Sequence, residues 1–208
     1  MPTYLAVIPA KGTSKRIPGK NLRDFMGTPM LARSIAIARE VGIFDHICVS
    51  TEDHQVVEVA KRYGAEIVKR PWALAERYSP DCGTHEVARH AVEAYWKGGV
   101  KVEMACCIYP CAPLMTARDI WMGWEAMQRP GAWWSYPVGP GNIDAGNWYW
   151  GWAISYLDRL PMDPDSEHVW KVPIPAERFC DINTPEDWDR AEQLYRALHQ
   201  GGQDGKGD

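Results

Sequence analysis

The sequence predicts an α/β protein with a mostly parallel β-sheet and helices on both of its faces. Short apolar runs alternate with amphipathic segments that carry helix boundary residues, from Tyr4 to about Gln128, which is the rhythm of βαβ units. The apolar runs are continuous rather than alternating in polarity, as in strands buried on both faces. Hydrophobic residues make up 46% and charged residues 24% of the chain, an ordinary balance for a globular protein. The 208 residues suit one domain over residues 1–200. The last eight, GGQDGKGD, offer nothing to bury and are expected to be disordered.

The elements follow in order. Tyr4–Pro9 (YLAVIP) reads as a buried strand that runs into a loop rich in Gly, Pro and Lys. Pro29 and Gly42 bracket a helix, proline at its first turn and glycine past its end. His46–Ser50 is a second strand, Asp53 caps the next helix, and Glu66–Val68 is a short third strand. A helix over Thr84–Lys97 ends at Gly98-Gly99, Glu103–Tyr109 is a fourth strand, and Thr116 caps a helix to about Gln128. After Pro130 the segment GAWWSYPVGPGNIDAGNWYWGW reads as short strands and turns. Glu167–Pro173 reads as one more strand, and Pro185–Leu198 as a helix capped by Thr184, with Asp187 three residues on.

Charge and targeting signals narrow the function classes. A net charge of -4 argues against a general nucleic-acid binder, which needs a basic surface. The N-terminus lacks a basic region followed by a long apolar core, so it reads as a strand rather than a signal peptide. No apolar run approaches the roughly 18 residues of a membrane span. The six cysteines, Cys48, Cys82, Cys106, Cys107, Cys111 and Cys180, are then expected as reduced thiols in the cytoplasm.

The segment IPAKGTSKRIPGKN sets Lys11, Lys15, Arg16 and Lys20 around Gly12, Thr13 and Gly19, directly after a buried strand. Glycines let backbone N–H groups approach a phosphate, and the cations neutralise it. The spacing is neither that of a Walker A loop nor G-x-G-x-x-G. A solvated basic loop is the plainer alternative.

This segment, continued through LRDFMGTPML, resembles the signature of the acylneuraminate cytidylyltransferases, most of all their pseudaminic acid branch. STEDHQVVEVAKRYGAEIVKRP, ALAERYSPDCGTHEV, CCIYPCAPLM, DAGNWYWG and FCDINTPEDW have counterparts there in the same order. The resemblance implies a Rossmann-like nucleotidyltransferase fold and transfer of CMP from CTP to a nonulosonic acid, a small acidic sugar, with Mg²⁺ as cofactor. It implies that Lys11 and Lys20 hold the triphosphate within a nucleotide loop that includes Ala10, Gly12 and Arg16, and that Asn21 reads the cytosine edge. Arg70, Ser79 and Thr84 would form the second wall of the nucleotide pocket. Asp181 and Asn183 would hold the metal, and Lys11, Lys20 and Asp181 would carry the catalysis. Asp144, Asn147 and Tyr149 would face the sugar.

Three departures stand out against the family. Lys11 replaces an arginine and loses its planar fork, Asn183 replaces a second aspartate, and a long insertion between Trp134 and Asp144 is missing. A different, smaller acceptor and a non-catalytic nucleotide-binding role therefore stay open, as does the oligomeric state, because the missing insertion contributes to the family's dimer interface. His85 and His90 in HEVARH are five apart, roughly 140° around a helix, against the four of a zinc helix. Cys106 and Cys107 point to opposite faces of their strand and are expected as core thiols. Trp148, Trp150 and Trp152 share one strand face, either as core or as a sugar or partner surface.

Overall fold

A computed structural model describes residues 2–12, 14, 16–76 and 83–200. Its elements are β1 (Tyr4–Pro9), β2 (Asp24–Phe25), β3 (Thr28–Pro29), α1 (Met30–Val41), β4 (His46–Thr51), α2 (His54–Arg62), β5 (Glu66–Lys69), α3 (Trp72–Glu76), α4 (Thr84–Lys97), β6 (Met104–Ile108), α5 (Ala117–Met127), β7 (Trp134–Val138), β8 (Trp148–Trp152), α6 (Ala153–Leu157), β9 (Val169–Pro173) and α7 (Pro185–Gln200). The main sheet has seven strands in the order β5-β4-β1-β6-β8-β7-β9. Only β8 runs against its neighbours, antiparallel to β6 and to β7. The fold is the mostly parallel α/β arrangement that the alternation of elements predicts.

Side chains from β1 show how the two layers form. Ala6 and Ile8 pack with Leu31 and Ile35 of α1, Val56 of α2 and Ile120 of α5. Leu5 and Val7 point the other way, towards Ala88, Ala91 and Val92 of α4 and Tyr156 of α6. This is the period-two alternation of a strand with helices on both faces. Cys106 and Cys107 divide the same way between the two cores. The five described cysteines are free and buried.

The helix ends are set locally. The Asp53 carboxylate accepts from the N–H groups of Gln55 and Val56, satisfying donors that the first turn of α2 leaves open. Thr116 and Asp119 form a reciprocal capping box at α5. Thr184 and Asp187 do the same before α7. Gly42 ends α1 in the left-handed conformation, φ 76°.

Three elements went unforeseen in the sequence. The hairpin β2–β3 turns through Met26 and Gly27, both at positive φ, and α3 and α6 are five residues each. Pieces this short show no periodicity to read. The hairpin helps to build a third, smaller core. Ile17, Phe25, Met30, Cys111, Leu114, Cys180, Ile182, Trp188 and Ala191 close it, so α7 is fastened against the loop after β1.

The tryptophan stripe belongs to the core. Trp148 and Trp150 are wholly buried, Trp152 packs against the same cluster, and the indoles of Trp150 and Trp152 donate to the carbonyls of Ile120 and Ala132. That arrangement rules out a sugar platform at Trp148 and Trp150. Helix α5 lies so close above them that a Cβ on Gly123 would stand 2.3 Å from the Trp148 ring.

Candidate functional site

Strand direction gathers the site at one edge of the sheet. The parallel strands β1, β4, β5 and β6 finish together there, at Pro9, Thr51, Lys69 and Ile108. Because β8 is antiparallel, it begins at this edge, with Trp148 opposite Ile108. The turn before it is therefore delivered to the same place, and Asp144 bridges Val138 at the end of β7. Strand β9 runs parallel to β7 and also ends here, sending residues 174–184 back across the edge. Carboxyl ends of strands are where α/β sheets bind ligands.

The loop after β1 is held on three sides. Ala10, fully buried, donates its N–H to the Ser50 carbonyl at 3.0 Å. The Asn21 side-chain amide donates to the Lys11 carbonyl at 2.9 Å, which closes the loop across its mouth. The Lys20 ammonium donates to the Ile182 carbonyl at 2.6 Å, tying the loop to the segment that carries Asp181 and Asn183. Arg16 and Lys20 both lie close enough to Asp181 to favour its charged form. Lys15, Thr13, Ser79 and Cys82 lie outside the described residues.

Gly12 has two carboxylates against it. Its N–H donates to Glu52 Oε1 at 3.0 Å, and a Cβ there would stand 2.0 Å from Asp53 Oδ2. Only glycine lets the loop approach the β4–α2 corner so closely. Arg70 lies beneath this corner, 5% exposed. Its guanidinium donates to the Ser50 carbonyl at 2.6 Å and stands 3.8 Å from Glu52. Burial lowers the Arg70 pKa, and the Glu52 carboxylate opposes that. Arg70 is thus a buried brace behind the loop.

The opposite wall is the turn before β8. Exposed Asp144 accepts from the Gly146 N–H at 2.9 Å and from the Tyr149 hydroxyl at 2.8 Å. Tyr149 is 7% exposed and Asn147 1%, so of this trio Asp144 alone opens to solvent. Burial raises the Tyr149 pKa first, and the Asp144 charge adds to it. The Asn147 side-chain oxygen is buried without a hydrogen-bond partner among the described residues. Thr84, at the start of α4, pairs its hydroxyl with that of Tyr109. The two walls meet at Gly146, where a Cβ would lie 3.6 Å from Asp181 Oδ2 at a backbone φ of +64°.

Asp181 itself is exposed on its outer side. Crowding raises its carboxyl pKa, while the Asn183 amide and the Lys20 and Arg16 charges pull it down. Asn183 donates its amide to Asp181 Oδ2 at 2.6 Å. The pair fits a hard divalent cation in kind, one carboxylate and one amide oxygen beside cations suited to a polyphosphate, provided Asn183 turns its oxygen inward. Glu52 is a site-adjacent residue that sequence reasoning missed. Its signal was available, a carboxylate directly after a buried strand, in STED.

The structure thus brings together the described members of the nucleotide loop, Asp181, Asn183 and Asp144, with Thr84 and Arg70 at the margins. Known proteins share both the sequence and the fold. Residues 5–76 match the cytidylyltransferase family model. A pseudaminic acid cytidylyltransferase from Campylobacter jejuni is 29% identical, with 94% of this chain aligned to 97% of that one. The alignment spans 231 positions, more than the 208 residues here, so the relative has residues that this chain lacks. A CMP-N,N'-diacetyllegionaminic acid synthase from Legionella pneumophila is 39% identical over 45% of this chain and 38% of its own. Among solved structures, a CMP:2-keto-3-deoxy-manno-octonic acid synthetase complexed with CTP superimposes with a TM-score of 0.73 at 16% identity, over 94% of this chain and 99% of that one. The sequence match over residues 5–76 and the shared fold make the chain similar to the cytidylyltransferases, and it is shorter than the Campylobacter relative it aligns with.

Proposed function

We propose that the protein transfers CMP from CTP to a nonulosonic acid of the sialic or pseudaminic type, releasing pyrophosphate. The observation that carries this reading is the meeting of Lys20, Asp181 and the Asp144 turn at one sheet edge, the cations on one side and an open carboxylate on the other. The sugar hydroxyl oxygen attacks the α-phosphorus, the bond to the β-phosphate breaks, and the hydroxyl proton is lost to solvent. Lys11, Arg16 and Lys20 neutralise the phosphates, and such transfer is catalysed chiefly by positioning and charge. Asp181 and Asn183 would hold Mg²⁺, which supplies charge neutralisation at the phosphate oxygens. Asn21 keeps its side-chain oxygen for the base while its amide closes the loop. The five buried free thiols suit a reducing, cytoplasmic setting, and among the described residues no helix is long and apolar enough to cross a membrane.

A smaller acceptor is the second reading. The shorter chain favours it, because it lacks residues that the Campylobacter protein has. Pyrophosphate release from CTP with Mg²⁺ and a panel of acidic sugars tests both. Release with a nonulosonic acid and none without Mg²⁺ is expected. Release only with a shorter sugar acid moves the assignment to the second reading. Equal binding of all four ribonucleotides by calorimetry removes the cytidylyl assignment.

A further inference from the structure

We infer that Glu52 is a positioning residue that moulds the loop after β1 by holding the Gly12 N–H, so that the phosphates are met by the loop's side chains and not by that amide. Sequence reasoning gave the Gly12 backbone to phosphate, but the bond to Glu52 Oε1 at 3.0 Å already uses its one donor. The arrangement is built from beneath. Glu52 and Arg70 side chains are 6% and 4% exposed and stand 3.8 Å apart, so each buried charge has its counter-ion. Arg70 is fixed in turn by the Ser50 carbonyl, the same carbonyl that receives the Ala10 N–H. The end of β4 and the residue after it thereby hold the loop, at Ala10 through the Ser50 carbonyl and at Gly12 through Glu52. Asp53, at the cap of α2, fills the space that a Cβ on Gly12 would need, so the loop packs against this corner at Gly12.

The separation of Arg70 from Glu52 adds a second feature. Arg70 Nε and Glu52 Oε2 are both buried without a hydrogen-bond partner among the described residues, and their contact has charge attraction without hydrogen-bond direction. A buried donor and acceptor left so are costly, and Glu52 stays in place because Gly12 satisfies its other oxygen.

The nucleotide arm of the test rests on the CTP reading above; the amide arm does not. In the unliganded protein the Gly12 amide is followed by NMR for chemical shift and hydrogen exchange. CTP affinity is measured by calorimetry and the CTP KM against kcat by pyrophosphate release. The variants are Glu52→Gln, which keeps an acceptor oxygen, and Glu52→Met, which removes it at similar size. The amide is expected protected in the parent, shifted but still protected in Glu52→Gln, and exchanging about tenfold or more faster in Glu52→Met, as befits loss of a charge-assisted bond. CTP affinity should hold within about threefold in Glu52→Gln and fall about tenfold in Glu52→Met, with kcat at saturating CTP nearly unchanged. An unprotected Gly12 amide in the parent overturns the inference. So does a Glu52→Met protein that binds CTP as the parent does. If Glu52→Met fails to fold, the Gly12 shift in Glu52→Gln decides, since a bond to a neutral oxygen must move that resonance. A parent that binds no CTP while its Gly12 amide behaves as expected sinks the CTP reading and leaves the Glu52 bond standing.

Discussion

Lys20 sends its ammonium to the carbonyl of Ile182, and Ile182 is wholly buried in the small core beneath α7. Read from the sequence, the lysine stands on an exposed loop where its loss would leave folding untouched. The structure makes it half-buried and bonded across 162 residues of chain, so it serves the fold in addition to the phosphate role proposed for it. Lys20→Ala should cost about 1–3 kcal/mol of stability, the range for a hydrogen bond to a charged group. It should also lower kcat/KM for CTP by roughly 10²–10³, the effect of losing a cation or donor where charge develops. Thermal unfolding and steady-state kinetics below the melting range read the two losses separately. A variant that melts lower yet turns over like the parent would leave Lys20 with its structural role alone. The cations of this loop were legible in sequence because lysine and glycine crowd after an apolar run. Glu52 and Arg70 were harder to place, since their work depends on a buried pairing between two strands that no spacing reveals.

At the level of elements, the tight join is α5 on β8. Gly123 sits over Trp148 and Trp150, where an added Cβ would meet ring carbons at 2.3 and 2.7 Å. The Gly123 carbonyl also accepts the Ser135 hydroxyl at 2.8 Å, which fixes the helix over β7. Gly123→Ala pits a gain in helix propensity of up to about 1 kcal/mol against overpacking worth about 1–3 kcal/mol. Two indoles wedged between helix and sheet have nowhere to shift, so the clash should win. A net loss of about 1–2 kcal/mol is expected, visible in denaturant unfolding followed by tryptophan fluorescence. An equal or raised midpoint would show that α5 can slide, and the reading of this join would fail. The strand period placed the three tryptophans on one face from sequence alone. Their occupant, a helix with a glycine cut into it, became evident only once the two elements were packed. The regular helices and parallel strands were legible for the same reason the short pieces were not. Twelve residues of α1 repeat their pattern, whereas a two-residue strand such as β2 has none.

Across the whole molecule, the face bearing the Asp144 turn is held by α4 and α6, and their clasp is ionic. Glu86, in the first turn of α4, accepts from Arg159 beyond α6 and from Arg89 one turn on, each at 2.8 Å. The Arg159 hydrogen bond first, and Arg89 beside it, bring the Glu86 pKa down to about 2. A carboxylate depressed in the folded state contributes its stability above the unfolded pKa of about 4.5 and loses it as pH falls through about 2. Arg159 is largely exposed, at 63% of its side chain, so screening trims the contribution to about 1–2 kcal/mol. Glu86→Gln should therefore be less stable than the parent by about that amount from pH 5 to 7. The gap should narrow steadily as the pH drops from about 4.5 towards 2. Urea unfolding of both proteins at several pH values between 3 and 7 measures this, and 0.5 M salt should shrink the gap at neutral pH. A difference that stays constant down to pH 3 would mean that Glu86 acts through packing and not through its charge, and the clasp between α4 and α6 would have to be sought elsewhere.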